Sequence, residues 1–328
     1  MKLEIRQLKK AILALSLATI AAALPGLASA QSYPSKQIRL VVPFAAGGAT
    51  DVIARVVADS LRDDLKQPVV IENLAGASGG IGAQNVSGST PDGHTIMVMA
   101  NGMLAAPFTV KAYAGFDPRT ALTPIAYLAE SPIVGVVPPS VPAKNFREFI
   151  EYVKANPGKF NYAASGGSVD LDVGLFMSRA GLKMEKISYK GAAPVVTALL
   201  QNEVQFATGS PLSLRGQLDS GRVRAIGVMS SRPWPGDASL RVASESVPGY
   251  EMVPGWFGVM GPKGLPRSIV DIISSAARGA VNKPANKKRL EDAGMYVYDA
   301  GPDDMAQNIQ RTLETWREGV KVTGIQPE

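Results

Sequence analysis

The chain has 328 residues, a formal charge of +6, no cysteine and a single histidine, His94. That length suits two domains of α/β type. The missing cysteines exclude thiolate catalysis, zinc–thiolate sites and iron–sulfur clusters, and one histidine excludes a multi-histidine metal centre. No metal and no cofactor is expected.

In chain order, the first thirty residues read as a signal peptide. Lys2, Arg6, Lys9 and Lys10 make a basic start, and residues 11–24 are almost wholly apolar. That run has the length of a signal-peptide core and is short for a membrane span. Ala28-Ser29-Ala30 is a small-x-small cleavage site, so cleavage after Ala30 and a periplasmic location are expected, with a retained membrane anchor as the alternative. Removing residues 1–30 leaves 298 residues and a charge of +3. The basic residues are scattered apart from Lys287-Lys288-Arg289, which reads as a solvated helix face, so nucleic acid is not expected as a partner.

Residues 38–42 are an apolar, β-branched strand that stops at Pro43. A loop of small residues follows at 45–49, and then Thr50 or Asp51 caps a helix over 50–65 with Val52, Ile53, Val56, Val57 and Leu61 on one face. Strand, glycine loop and helix together aim free N–H groups and a positive helix end at one spot, which suits a carboxylate or phosphate. The loop lacks the lysine of a P-loop. Further strands are expected at 69–72, 95–99, 133–137, 204–207 and 224–229. Further helices are expected at 146–155, 173–182, 193–202, 268–282 and 303–322. The alternation argues for parallel sheets covered by helices.

Residues 129–142 and 247–256 look like breaks between lobes. Residues 31–130 with 254–328 then form one lobe and 131–253 the other, and a chain crossing twice makes a hinge with a cleft. The second lobe has its own glycine loop: Asn161-Tyr162-Ala163-Ala164 reads as a strand end, followed by Ser165, Gly166, Gly167 and Ser168 and then a helix. Two such loops facing across a cleft could hold one small anion between two helix N-termini.

Other patterns compete. Gly76-Ala77-Ser78-Gly79-Gly80 fits G-x-S-x-G, with Asp92 and His94 following in hydrolase order, which would make Ser78 a nucleophile. Asp92 and His94 lie two residues apart in one turn, whereas an Asp that orients a His comes from a separate element, so the hydrolase is the minor alternative. Gly76, Gly80 and Gly82 resemble a dehydrogenase phosphate loop, but no Tyr-x-x-x-Lys pair accompanies them. Among the few aromatics, Phe44 could wall a pocket, Tyr189 could donate a hydrogen bond into it, Trp234 is a further candidate, and Trp256 reads as core.

The ordered words P-F-A-A-G-G-A-T-D-V-I-A-R from Pro43, V-V-I-E-N from Val69, G-A-S-G-G-I-G-A from Gly76 and T-P-D-G-H-T from Thr90 carry a family likeness. K-A-N-P-G-K-F-N-Y-A from Lys154, Y-K-G-A-A-P from Tyr189, G-R-V-R-A-I-G-V from Gly221 and W-F-G-V-M-G-P-K-G-L-P from Trp256 extend it. Over residues 31–328 the chain resembles the extracytoplasmic solute receptors of tripartite tricarboxylate transporters, the Bug receptors. The resemblance implies an α/β type II periplasmic-binding-protein fold of two lobes with a double crossover hinge. It implies no catalysis, a small carboxylate as ligand and membrane transporter subunits as partners, and a monomer is expected. It places ligand contacts at Phe44, Ala46, Gly47, Gly48 and Thr50 and at Ser165, Gly166, Gly167 and Ser168; Tyr189 and Gly209 are further candidates for the same pocket. Asp51 matches the family's acid, with helix capping as its other role. The second loop is one residue shorter than usual, Leu171 stands where the family commonly has His, and Thr208-Gly209-Ser210 lacks a frequent Asp. An acid there would suit an ammonium, so the ligand is expected to lack a charged amine unless Asp170 or Asp172 supplies the charge. A receptor that signals to a membrane sensor would look the same in sequence.

Overall fold

The computed structural model describes residues 33–327, apart from 165, 166, 190, 191, 231 and 253. The expected signal peptide and its cleavage point, and the candidate residues Ser165 and Gly166, lie outside the described residues. The chain divides into two compact units, Met1–Ser35 and Lys36–Glu328, and the fold is that of the second.

The first pass of the chain lays down β1 (Ile38–Val42), α1 (Ala49–Leu65), β2 (Val69–Asn73), α2 (Gly80–Ser87), β3 (Thr95–Ala100) and β4 (Leu122–Ser131). Ile38, Leu40, Val41 and Val42 are buried, as a strand covered on both faces requires. Helix α1 turns Ile53, Val56, Val57 and Leu61 to the core, the stripe expected of helical spacing. The second pass holds β5 (Val134–Val137), α3 (Phe146–Lys154), β6 (Asn161–Ala164), α4 (Ser168–Ala180), β7 (Glu185–Ser188), α5 (Ala192–Leu200), β8 (Ala207–Gly209), α6 (Pro211–Asp219) and β9 (Arg224–Val228). The return adds β10 (Gly255–Pro262), α7 (Arg267–Asn282), α8 (Pro284–Asp292), β11 (Tyr296–Ala300) and α9 (Pro302–Thr323).

These strands form a six-stranded sheet in the order β11-β4-β10-β3-β1-β2, a three-stranded sheet β8-β5-β9 and the pair β6-β7. The sheets are mixed rather than parallel, which corrects the expectation from the alternating pattern. Strands β1, β2 and β3 are parallel, whereas β10 runs antiparallel to β3 and β4, and β5 antiparallel to β8 and β9. The cause is the route of the chain. Gly255 re-enters the sheet opposite Ser131, where β4 leaves it, so β10 has to run back along β4. Asn101 pins this crossing at the end of β3: its Nδ2 donates to the Pro254 carbonyl at 3.0 Å and its Oδ1 accepts from the Trp256 N–H at 3.3 Å.

The six-stranded sheet packs on a core that includes Met97, Met99, Tyr127, Trp256 and Trp316. Trp256 is wholly buried there, as expected of a core tryptophan. A second core is built on Phe146, Phe149, Phe176, Phe206 and Tyr250, whose rings stack, tilt or meet edge-on. The two cores meet where α4 lies against α9. Leu171 of α4 belongs to the first core, and the Trp316 indole of α9 donates to Asp172 Oδ1 at 2.9 Å. Among the described residues no helix is long and apolar enough to cross a membrane.

Candidate functional site

Parallel strands release their loops on one side, and two sets of carboxyl ends matter here. Strands β1 and β2 end in the loops at 43–48 and 74–79. Strands β6 and β7 are parallel, with Ala164 opposite Ser188, and Tyr162 bridges Phe206 in parallel just before β8. The end of β6 at Ala164, the backbone at Tyr189 and the end of β8 at Gly209 therefore emerge from one end of the second sheet system. Ligands of open α/β sheets gather at such carboxyl ends.

Both helices that start at these ends begin without a side-chain cap. Gly48 caps α1 and Gly167 caps α4, and neither has a side-chain oxygen to satisfy the first-turn N–H groups. Two other helices are capped by side chains: Asn145 accepts from Glu148 N–H at 2.9 Å for α3, and Ser210 from Ser213 N–H at 3.2 Å for α6, whereas α2, α7 and α8 also begin without one. The glycine caps leave two positive helix ends open to an outside anion. Gly47 has φ +83° and Gly167 φ +60°, conformations that glycine adopts without strain.

Asp51 holds the first loop in shape. It is 2% exposed, and its Oδ2 accepts from the Gly47 N–H at 3.0 Å and from Arg55 Nε at 2.8 Å. Asn73, the last residue of β2, donates to Asp51 Oδ1 and to the Phe44 carbonyl, both at 3.1 Å. Burial pushes the Asp51 carboxyl up, but the hydrogen bonds from Arg55, Gly47 and Asn73 outweigh it and hold the group below the ordinary carboxylate value. Ala46, Gly47 and Gly48 are exposed, Phe44 is half-buried on the first core, and Thr50 is buried in the first turn of α1.

The loop at Gly76–Gly79, which reads in the sequence as a hydrolase or dehydrogenase pattern, belongs to the same site. Gly76, Ala77, Ser78 and Gly79 all have positive φ, from 49° to 133°, and for Ala77 and Ser78 that is a costly left-handed conformation. A Cβ on Gly79 would stand 3.3 Å from the Phe44 ring, so this loop rests on the first one. A Cβ on Gly167 would lie 4.0 Å from Ser78 Oγ, so the loop also meets the second glycine loop. The signal in the sequence is glycine density directly after a strand, the same signal that marks residues 43–48.

The hydrolase geometry is absent. Ser78 follows the carboxyl end of β2, where Leu74 N–H pairs with Val42. His94 precedes β3 at the opposite end, where its carbonyl accepts from Arg39 N–H at 2.8 Å. The three steps along the strand from Arg39 to Val42 span roughly 10 Å, far beyond hydrogen-bond reach. Asp92 faces Lys36 at 3.1 Å and His94 Nδ1 at 3.3 Å within its own turn.

Among the other candidates, Ser168 is the first residue of α4, directly after Gly167. The Tyr189 backbone N–H donates to Ala164 at the end of β6, but its hydroxyl donates to Glu203 at 3.3 Å. Gly209 pairs with Val134 at the first residue of β5, beside the crossing. Asp170 is ion-paired with Lys186 at 3.0 Å. A groove of about 810 Å³ lies between α6, Trp234 and β11, and its lining includes none of residues 44–51, 76–79 or 167–168. Its charges oppose one another (Lys144 and Arg215 against Asp219, Asp237 and Glu291), and Arg224 there donates to the Ala143 carbonyl. That composition favours no single class of ion. No group of three or more potential metal ligands occurs among the described residues.

Comparison with known proteins gives one consistent family. Residues 53–325 match the family described as "Tripartite tricarboxylate transporter family receptor". Protein BugT of Bordetella pertussis is 31% identical over 318 residues, covering 96% of this chain and 97% of that protein. The solved periplasmic binding protein BugD is similar with a TM-score of 0.71 at 32% identity, over 90% of this chain and 100% of that one. Two further solved relatives carry a ligand. Rpa4515 of R. palustris, solved with adipate, gives a TM-score of 0.75 at 30% identity over 90% and 100%. MatC of Rhodopseudomonas palustris, solved with bound malate, gives 0.70 at 28% identity over 88% and 100%.

Proposed function

Because this chain belongs to the tripartite tricarboxylate transporter receptor family, we propose that it captures a small carboxylate in the periplasm for membrane transporter subunits. The observation that carries this reading is that the loop at Gly76–Gly79 touches both glycine loops, each of which opens a helix without a side-chain cap. Gly48 and Gly167 lie at the carboxyl ends of two strand sets, with Ser78 close to Gly167. Phe44, Ala46, Gly47, Gly48 and Thr50 form one side of the binding site, with Ser78 added. Gly167, Ser168, Tyr189 and Gly209 form the other. Asp51 works from behind, by fixing Gly47. Each charge-assisted hydrogen bond to a carboxylate contributes about 1.5–3 kcal/mol, so a few of them give micromolar binding.

The solute is a carboxylate without a charged amine. Thr208-Gly209-Ser210 offers no acid, Asp170 is held by Lys186, and Asp172 is buried against Trp316. Related receptors solved with adipate and with malate fit that class. The protein is a binding module rather than an enzyme, acts as a monomer after cleavage at Ala30, and closes residues 31–130 with 254–328 onto residues 131–253. Calorimetric titration with adipate and malate against aspartate and glutamate tests the reading. Micromolar binding of the dicarboxylates with weak binding of the amino acids is expected. Tight binding of the amino acids alone would contradict it, and turnover of an ester panel would revive the hydrolase.

A further inference from the structure

Besides the two chain crossings, a side-chain link joins the sheets. Arg232 follows β9, the last strand of the three-stranded sheet, yet its guanidinium is engaged on the six-stranded one. Its Nη1 stands 3.0 Å from Glu130 Oε1, and its Nη2 donates to the Tyr298 hydroxyl at 3.2 Å. The guanidinium carbon lies 4.3 Å from the centroid of the same tyrosine ring. Glu130 is the residue before Ser131, the last of β4, and it also accepts from the buried Tyr127 hydroxyl at 2.7 Å. Two residues on, the Trp234 indole donates to the Tyr296 hydroxyl of β11. Pro233 and Pro235 fix φ on either side of Trp234, which stiffens the segment. Arg232 shares a cavity of about 180 Å³ with Pro132 and Pro254, one residue from each crossing.

We infer that Arg232 is a positioning residue for solute capture: it braces the hinge by clamping the segment after β9 onto Glu130 and Tyr298, and so sets how the two sets of strand ends face each other. The inference rests on the receptor reading above. An isolated exposed ion pair would do little. Here the acid is mostly buried and already hydrogen-bonded, and the flat guanidinium is both paired and stacked, a combination lysine cannot reproduce. The brace sits beside the crossings, so a small change there is amplified at the loops. It is present in the arrangement that brings Ser78 to Gly167, so losing it shifts the population toward separated loops.

The chain has no cysteine, so the double substitution Asp63→Cys and Glu151→Cys, at exposed sites on α1 and α3, gives one clean spin-label pair. The distance distribution without solute, and the affinity for adipate, are compared with and without Arg232→Gln. The substitution is expected to broaden or shift the distribution and to weaken adipate binding about fivefold or more. Arg232→Lys, which keeps the charge but not the flat stack, falls between. The side chain is 45% exposed, so both variants should fold, and melting curves check that. An unchanged distance distribution in Arg232→Gln overturns the brace. Failure of the parent protein to bind adipate or malate counts against the carboxylate reading instead, and the solute-free distances still judge the brace.

Discussion

Asp51 and Asp172 are both buried aspartates, yet their environments drive them in opposite directions. Asp51 is surrounded by donors and its carboxyl is held low, so its stabilisation is present above the ordinary carboxylate value and is lost as pH falls through its lowered one. Asp51→Ala strands the Gly47 N–H, Arg55 and Asn73 and should cost about 1–3 kcal/mol in a denaturant melt, with weaker solute binding. Among the described residues the Asp172 carboxyl accepts only from the Trp316 indole, and burial pushes it up to about 8 despite that bond. The folded chain then holds a proton that the unfolded chain releases near pH 4, so stability falls as pH rises from about 4 to about 8 and is level above. Asp172→Asn keeps an acceptor for Trp316 and cannot ionise. Its melting temperature should match the wild type near pH 4 and exceed it near pH 9, and a parallel decline in both would contradict the assignment. Gly48 gives the cleanest test of the first loop. Its φ of −77° suits any residue and a Cβ there meets only the Ala45 carbonyl at 3.5 Å, so Gly48→Val should melt normally and lose solute binding. The loop at Gly47 and Gly48 was legible in the sequence as a turn between strand and helix, because the apolar run stops at Pro43 and helical spacing starts at Val52. Ser78 was not, because a G-x-S-x-G string suggests a nucleophile, and only the parallel pairing of β1 with β3 puts His94 at the opposite end of the sheet.

At the scale of elements, α4 and α9 matter most. The helix expected at 173–182 begins at Ser168, so that its positive end reaches Gly167. Local pattern missed this start because Leu171 and Asp172 are buried by α9, a contact 144 residues away in sequence. A Cβ on Gly319 of α9 would press on Leu171 at 3.3 Å, so the helices meet closely there. Gly319→Leu should therefore destabilise by about 1–3 kcal/mol in a denaturant melt and weaken solute binding by tilting α4. Strand β1 was legible to the residue, since its apolar run ends at a proline. Strands β4, β10 and β11 were not foreseen: the crossings at Ser131 and Gly255 fall within glycine- and proline-rich words that read as linker, and only long-range pairing makes their flanks strands.

For the whole molecule, two sheet systems are joined by two crossings, and the closure proposed above would remove water and strengthen each N–H bond to a carboxylate. The family was legible because its words are spread along the chain in order. The direction of the strands was not, because alternating strands and helices look alike whether the chain returns parallel or antiparallel. Small-angle scattering should show a smaller radius of gyration with saturating adipate than without, and no change would argue against closure. The central claim is that a carboxylate is held between the helix ends at Gly48 and Gly167. A crystal structure with adipate tests it most directly. The carboxylate is predicted beside the N–H groups of residues 47–50 and 167–168. Adipate seated instead in the groove between α6, Trp234 and β11 would contradict it.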